Sequence, residues 1–402
     1  MKNTASKNKF LLLAIISTIV AIGVHGYLTV HFYGVKFGLL EGASVCNLSA
    51  TFNCDTVTAS KFSALFGIPM ALWGVATNAI LLFLLTVTRL NLVQDRSKSS
   101  RYAFLISLVT VIASVTMGII SLTAMTAYCI FCISTYALSL IGFTGAWLGA
   151  EDLSLNNLMD DVKDAFVTDK WFLGSVIAIP VFAVIGNIMY LESHGLGEIE
   201  KTAKDKVAYW ATSPEQKFDP SKGLSMQKGS AEPVMTIVEF ADFRCPHCKH
   251  AAPSLHNFTQ SHPDVKLIFK PFPLDGTCNE AIKGGGDGIS CGLASAVMCS
   301  EKIAQKGWMA HDYIFENQTD IIQAGSLDKN LDSVSKVVGI SAEDLKKCLN
   351  DPATAELIRS MANEGAAAQI QGTPTVFVNG KLLSGGQLIP ILESAYRAIK
   401  GN

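Results

Sequence analysis

The sequence predicts a membrane α-helical bundle of five transmembrane helices joined to a soluble α/β domain with a helical insertion. Three observations carry that prediction. The 402-residue chain is 49% hydrophobic and only 16% charged, and its mean hydropathy is positive, which is unusual for a wholly soluble protein. The apolar residues crowd into the first 192 positions, while most of the charge follows position 196. Beyond that point the pattern changes to short β-branched runs separated by turns and amphipathic stretches.

Five apolar segments, at about 10–33, 64–88, 103–124, 128–149 and 171–192, are long enough to cross a bilayer core, which takes about 20 residues. The first follows the basic start MKNTASKNK but is long and lacks a small-x-small cleavage site, so it is expected to be an uncleaved helix. Orientation follows from loop charge. Lys2, Lys7 and Lys9 precede the first span, and Arg89, Arg96, Lys98 and Arg101 flank the loop after the second. The positive-inside rule puts both in the cytoplasm. The stretch 150–170 is acidic, with only Lys163 and Lys170, and adds little. An odd number of spans then exports everything after 192, together with loop 34–63 and the turn near 125–128. All ten cysteines fall on that side or at that membrane face, an even count that reads as disulfide chemistry in an oxidising compartment. The net charge of −2 and the lack of a basic tract argue against nucleic acid as a partner.

The expected domains are 1–150, a membrane domain; 151–196, a fifth span with its flanks; 197–230, a polar connector with some helix near 197–211; and 231–402, the soluble domain. That last domain opens with VMTIVEF (234–240), a buried strand, followed at once by RCPHC and a helix over KHAAPSLHNFTQ. A cysteine at a helix start meets unpaired backbone N–H groups and the positive end of the helix dipole, both of which favour its thiolate. His247 could add a hydrogen bond or charge. A second strand is VKLIFKPF (265–272), and GTPTVFVNGKLL (372–383) reads as a Pro-entered strand and turn before a closing helix at 387–399. A structural disulfide or half a zinc site are the other readings of the Cys-x-x-Cys. Zinc would need a second ligand pair, and the only other Cys-x-x-Cys is membrane-embedded. Cys278, Cys291, Cys299 and Cys348 lie in a mostly helical insertion, 275–365, and spacing leaves three pairings open. His250, His256, His262 and His311 read as surface or packing residues, and KGGGDG (283–288) as a flexible turn.

Residues 232–400 resemble the DsbA-like thiol oxidases of the thioredoxin superfamily, through Cys-Pro-His-Cys after a strand and Thr373-Pro374 before the next-to-last strand. The resemblance implies Cys245 as nucleophile, Cys248 as its partner, Glu239 as a buried proton-handling acid, and a cis Pro374 packed against the pair. It also implies structural disulfides Cys278–Cys291 and Cys299–Cys348.

The membrane half has its own cysteine pattern. CNLSATFNC places Cys46 and Cys54 in the first exported loop, and AYCIFCISTYAL opens the fourth span with Cys129 and Cys132. With Ser60 six residues after Cys54, Phe66-Gly67 starting the second helix and Tyr136 four residues after Cys132, residues 10–150 resemble the vitamin K epoxide reductase family. That resemblance implies a quinone facing Cys132, with Cys129 receiving electrons from the loop pair. Tyr136, one helical turn beyond Cys132, could donate to a quinone oxygen or serve as an interfacial anchor. Ser60 could touch the ligand or cap a helix, while Asn78 and Trp73 read as packing residues. Ser63 stands where epoxide-processing members have asparagine, which favours a simple quinone (ubiquinone or menaquinone) over an epoxide.

Together the two resemblances imply a disulfide bond-forming oxidoreductase in a membrane of the bacterial inner-membrane type. Reduced exported proteins would be its substrates, a quinone its electron acceptor, and no metal its cofactor. The competing expectations are a disulfide reductase or isomerase running in reverse, a quinone or vitamin K epoxide reductase with no protein-oxidation role, and a tethered chaperone or adaptor.

Overall fold

The computed structural model describes residues 2–39, 44–49, 51–229 and 232–401. The chain divides into two compact units, Met1–Gly34 with Val45–Gly197, and Val35–Ser44 with Glu198–Asn402.

In the first unit the five apolar segments are helices: α1 (Lys2–Lys36), α3 (Met70–Arg89), α4 (Arg96–Ala124), α5 (Ile130–Gly149) and α7 (Lys170–Ser193), each long and apolar enough to span a bilayer. Between them lie a short α2 (Cys54–Ala59), a two-stranded hairpin of β1 (Ala64–Leu65) and β2 (Ile68–Pro69), and α6 (Leu155–Val167). Leu11 and Ala14 of α1, Leu84 and Leu85 of α3 and Ala146 of α5 form one fully buried cluster, so α1 is an integral member of the bundle. It meets α5 at glycine: a Cβ on Gly145 would lie 2.8 Å from the Phe10 carbonyl oxygen.

One expectation is corrected here. The second span starts at Met70, not 64, because Phe66 and Gly67 both take positive φ (55° and 78°) in the tight turn of the hairpin. They therefore precede the helix instead of starting it, and an apolar run concealed a β-turn. The acidic stretch 150–170 is mostly helical. Ser154 caps α6 by accepting the Asn157 N–H, and the buried Asp161 carboxylate pairs with Arg101, whose Nη2 lies 3.0 Å from Oδ1. Lys98 reaches Asp164 and Asp169 at 2.8 and 2.7 Å, and Lys7 donates to the Ala150 carbonyl at 2.9 Å. The basic residues thus gather at the end of α5 remote from Cys129.

The second unit holds α8 (Leu196–Thr212), β3 (Leu224–Gln227), β4 (Met235–Ala241), α9 (Pro246–Ser261), β5 (Val265–Pro271), six helices α10 (Ile289–Ala304), α11 (Gly307–Glu316), α12 (Gln318–Ala324), α13 (Leu327–Val338), α14 (Ala342–Leu349) and α15 (Pro352–Ala367), then β6 (Thr375–Val378), β7 (Lys381–Leu382) and α16 (Ile389–Lys400). The sheet order is β3-β5-β4-β6-β7. Only β4 and β5 are parallel, with α9 between them in sequence, and the helices α10–α15 are inserted between β5 and β6. The alternation of β4 and β5 is weak because both faces are covered, so nearly every residue is buried.

The expected connector at 197–230 is not a free linker. Trp210 of α8 donates through Nε1 to the Val378 carbonyl of β6 at 3.0 Å, and Lys381 reaches the Ala211 carbonyl at 2.7 Å. Strand β3 pairs along β5 and supplies a sheet edge. Its polar composition disguised this docking. Sequence reasoning also missed Lys270, a fully buried lysine on β5. Its ammonium is met by Glu364 and by the carbonyls of Asp219 and Lys222, each at 2.8 Å, which is how a buried charge is tolerated.

Candidate redox sites

In the second unit, β4 runs into a turn that Asp242 organises, its carboxylate accepting the N–H groups of Arg244 at 2.7 Å and Leu274 at 2.8 Å. The chain then enters α9 with Cys245 as N-cap and Pro246 in the first turn, where proline's missing N–H costs nothing. Cys248, one turn on, is fully buried; Cys245 keeps 9% exposure. The Cys245 sulfur lies 3.3 Å from the Thr373 carbonyl oxygen, and the Thr373–Pro374 bond is cis. Hydrogen bonding from Cys248, then from Thr373 and the backbone N–H groups of Cys248 and His247, pulls the Cys245 thiol down to about 5. Burial first, and the neighbouring Cys245 second, push Cys248 far up. One sulfur is therefore an anion at neutral pH and its partner a thiol.

Glu239 lies on β4 at 0% exposure, with neither carboxyl oxygen hydrogen-bonded among the described residues. Burial, helped by the Cys245 charge, raises it to about 8. The His247 imidazole is exposed. Sequence reasoning did not single out Gln318 of α12, whose amide donates to the carbonyls of Phe243 and Cys245 at 2.9 Å each and so holds the turn. No sequence signal marked it, since a glutamine in a helical insertion has no periodic partner near the motif.

The structure joins Cys278 to Cys291 and Cys299 to Cys348. Segment 283–288 is a turn whose Asp287 pairs with Arg244 at 2.8 Å. His256 and His311 are buried, stacked 5.1 Å apart among Trp308 and Phe269, with His311 Nδ1 2.8 Å from the Asp312 carboxylate. Burial lowers His256 to about 4 and keeps it neutral. His262 is buried against Phe258, and His250 is half-buried.

In the first unit Cys46 and Cys54 form a disulfide, while Cys129 and Cys132 are unbonded to each other. Cys54 begins α2, capped by the Asn53 side chain, which accepts the Thr56 N–H at 2.8 Å. Cys129 caps α5, its sulfur accepting the Cys132 N–H at 3.3 Å. A parallel bridge joins loop to helix: Asn53 N–H donates to the Tyr128 carbonyl at 3.0 Å and Tyr128 N–H to the Thr51 carbonyl at 2.8 Å. The result is one buried cluster of Leu28, Cys46, Cys54 and Cys129, with Cys132 packed against it.

Behind that cluster lies a cavity of about 210 Å³ among α1, α3, α4 and α5, lined in part by Cys129, Cys132, Tyr136 and Ser63. Trp73 and Asn78, expected to pack between helices, also line it. Ser60 does not; it ends α2, and its hydroxyl donates to the Val57 carbonyl at 2.7 Å. His25 of α1, unnoticed in an apolar run, borders the cavity beside Gly74, where a Cβ would lie 2.5 Å from the imidazole.

A membrane-spanning bundle with three grouped cysteines above an apolar cavity, joined to a domain with an activated Cys-x-x-Cys, defines a membrane thiol–disulfide oxidoreductase. Residues 11–147 match the family model described as vitamin K epoxide reductase family, and residues 236–397 that of the DSBA-like thioredoxin domain. The chain carries one domain of each family, in that order. Among similar proteins, the "Probable disulfide bond formation protein D" of Bacillus anthracis is 28% identical over 233 residues, covering 56% of this chain and 93% of that one. The "Na(+)/H(+) antiporter NhaA 3" of Salinispora tropica is 25% identical over 170 residues, which are 42% of this chain and 24% of that protein. The crystal structure of oxidised BdbD from Bacillus subtilis superposes with a TM-score of 0.38 at 23% identity, covering 47% of this chain and 99% of that one.

Proposed function

We propose that the chain forms disulfide bonds in exported proteins and passes the electrons to a membrane quinone. A substrate dithiol reduces the Cys245–Cys248 disulfide and leaves as a disulfide. The reduced pair, Cys245 as thiolate, passes two electrons to Cys46–Cys54 by thiol–disulfide exchange. The loop pair reduces Cys129–Cys132, and that dithiol reduces a quinone to the quinol, regaining its own disulfide and giving up two electrons and two protons. Glu239 takes and returns a proton at the soluble pair, and Tyr136 and Ser63 contact the quinone.

The observation that carries this reading is the shared position of the inner sulfurs. Cys129 belongs to the buried cluster with the loop disulfide, and Cys129 and Cys132 also line a cavity walled by membrane helices. A lipid-soluble acceptor arriving through the bilayer would find its reductant there. Loop charge supports an exported soluble domain: the basic residues lie at the end of the bundle remote from the cysteines, and that end belongs inside.

The test is turnover by the purified full-length protein, given a reduced substrate peptide and either ubiquinone or menaquinone. Oxidation that proceeds with quinone and stalls in Cys132→Ala supports the relay. Undiminished quinone-dependent turnover in that variant would falsify it.

A further inference from the structure

Each cysteine of the membrane-side loop is followed at once by a polar residue, and the two polar residues hold each other. Asn47, after Cys46, donates its amide to Asp55 Oδ2 at 2.7 Å, and its carbonyl accepts the Asp55 backbone N–H at 3.4 Å. Asp55, after Cys54, is 1% exposed, and its other oxygen faces His31 Nε2 of α1 across 3.0 Å. The loop also closes on itself, with the N–H groups of Leu48 and Ser49 both reaching the Phe52 carbonyl. None of these contacts involves a sulfur atom.

We infer that Asn47 and Asp55 form a clasp that keeps Cys46 and Cys54 side by side while their disulfide is open, with Asp55 anchored to α1 through His31. Charge-assisted hydrogen bonds in a buried setting are the strong ones, and they survive the breaking of a neighbouring S–S bond. The inference rests on the relay reading above. In the forward exchange, the Cys54 thiolate attacks Cys129 of the inner disulfide, forming a Cys54–Cys129 bond and releasing Cys132 as thiolate. The Cys46 thiolate then attacks Cys54, re-forms Cys46–Cys54 and releases the Cys129 thiolate. Two electrons have moved inward, and two protons leave the loop thiols for the inner ones. The second step depends on how often Cys46 meets Cys54, and the clasp sets that frequency. Asn47, Asp55 and His31 are positioning residues; they act through the sulfurs.

The experiment measures, in the full-length protein, the fraction of Cys54–Cys129 mixed disulfide during turnover, by acid quenching, alkylation and mass spectrometry without reductant. Cys46→Ser is the control for the relay itself, since it lacks the resolving sulfur and must trap the mixed disulfide. Asn47→Ala should raise that fraction about tenfold over wild type, the effect of losing one charge-assisted hydrogen bond. The same variant should lower the equilibrium constant for closing Cys46–Cys54 against glutathione by a similar factor. The paired exchange Asn47→Asp with Asp55→Asn rebuilds both hydrogen bonds with the carboxylate on the other side, and should restore both readouts. If Cys46→Ser traps nothing, the relay is wrong. If it traps while Asn47→Ala leaves both readouts at wild-type values, the relay stands and the clasp is overturned. Loss in Asn47→Ala without recovery in the exchanged pair also overturns the clasp.

Discussion

At the scale of single residues, the soluble site separates two chemically identical thiols. Cys245 is drawn down to about 5 and Cys248 is pushed the other way, so only one sulfur is a thiolate at neutral pH. Favouring the thiolate stabilises the reduced protein, and the disulfide becomes the stronger oxidant; each pKa unit is worth about 1.4 kcal/mol, or about 30 mV for two electrons. The ultraviolet thiolate absorbance of the reduced protein should therefore titrate with a midpoint close to that of Cys245, about 5. A midpoint in the ordinary thiol range would contradict this arrangement. Glu239 carries a second prediction, made on the reduced protein, where the Cys245 charge adds to the effect of burial. Its carboxyl is raised from 4.5 to about 8, chiefly by burial. Between those values the folded protein holds a proton that the unfolded chain has lost, so stability is full below 4.5 and falls as pH rises through 8. Urea denaturation should show Glu239→Gln gaining up to about 4 kcal/mol over wild type at pH 8 relative to pH 4. A constant difference across that window would mean that the carboxyl is not held neutral. The motif cysteines were legible from their spacing, and Glu239 from the resemblance to the DsbA-like oxidases. Gln318 and Lys270 were not, since their partners are backbone carbonyls brought up by distant segments.

At the scale of elements, legibility followed hydrophobic contrast. The five spans stood out because long apolar runs have few alternatives in water. The hairpin at 64–69 was hidden because its turn is made of apolar residues, and α6 and β3 were hidden because their placement relies on ion pairs and hydrogen bonds, whereas α8 answers the helix expected near 197–211. These hidden elements are open to test. Arg101→Met would leave the buried Asp161 carboxylate unpaired and should destabilise the bundle by about 3–5 kcal/mol, whereas Lys163→Met, which removes only an exposed pair, should be near neutral. Equal melting losses in the two detergent-solubilised variants would argue that Arg101 is not holding α6. The cavity wall depends on a close approach of α1 and α3. Gly74→Ala would push a methyl into the His25 ring, and overpacking of this kind costs about 1–3 kcal/mol. Gly26→Ala, with nothing within 4 Å, is the matched control. The expected result is a lower melting temperature and a raised KM for quinone in the first variant alone.

At the scale of the whole molecule, the fusion itself was the most legible feature, because each half has a motif that no random run of residues would reproduce. What composition hid was how far the second unit extends: α8 and β3 belong to it, so little unstructured chain is left after Ser193. In the proposed relay, one covalent chain makes the exchange between donor and acceptor pairs intramolecular. A protease site introduced at His194–Gly195 should make quinone turnover depend on protein concentration once cut, and unaltered first-order turnover would show that tethering is irrelevant. An alkaline phosphatase fusion after residue 229 should be active if that half is exported. The backbone bridge between Phe52 and Tyr128 has a bearing on traffic between the two centres. Because the bridge moors the loop to the head of α5, the proposed relay does not make Cys54 a swinging arm that travels outward to collect its cargo. The quay stays put, and any soluble visitor has to come alongside it.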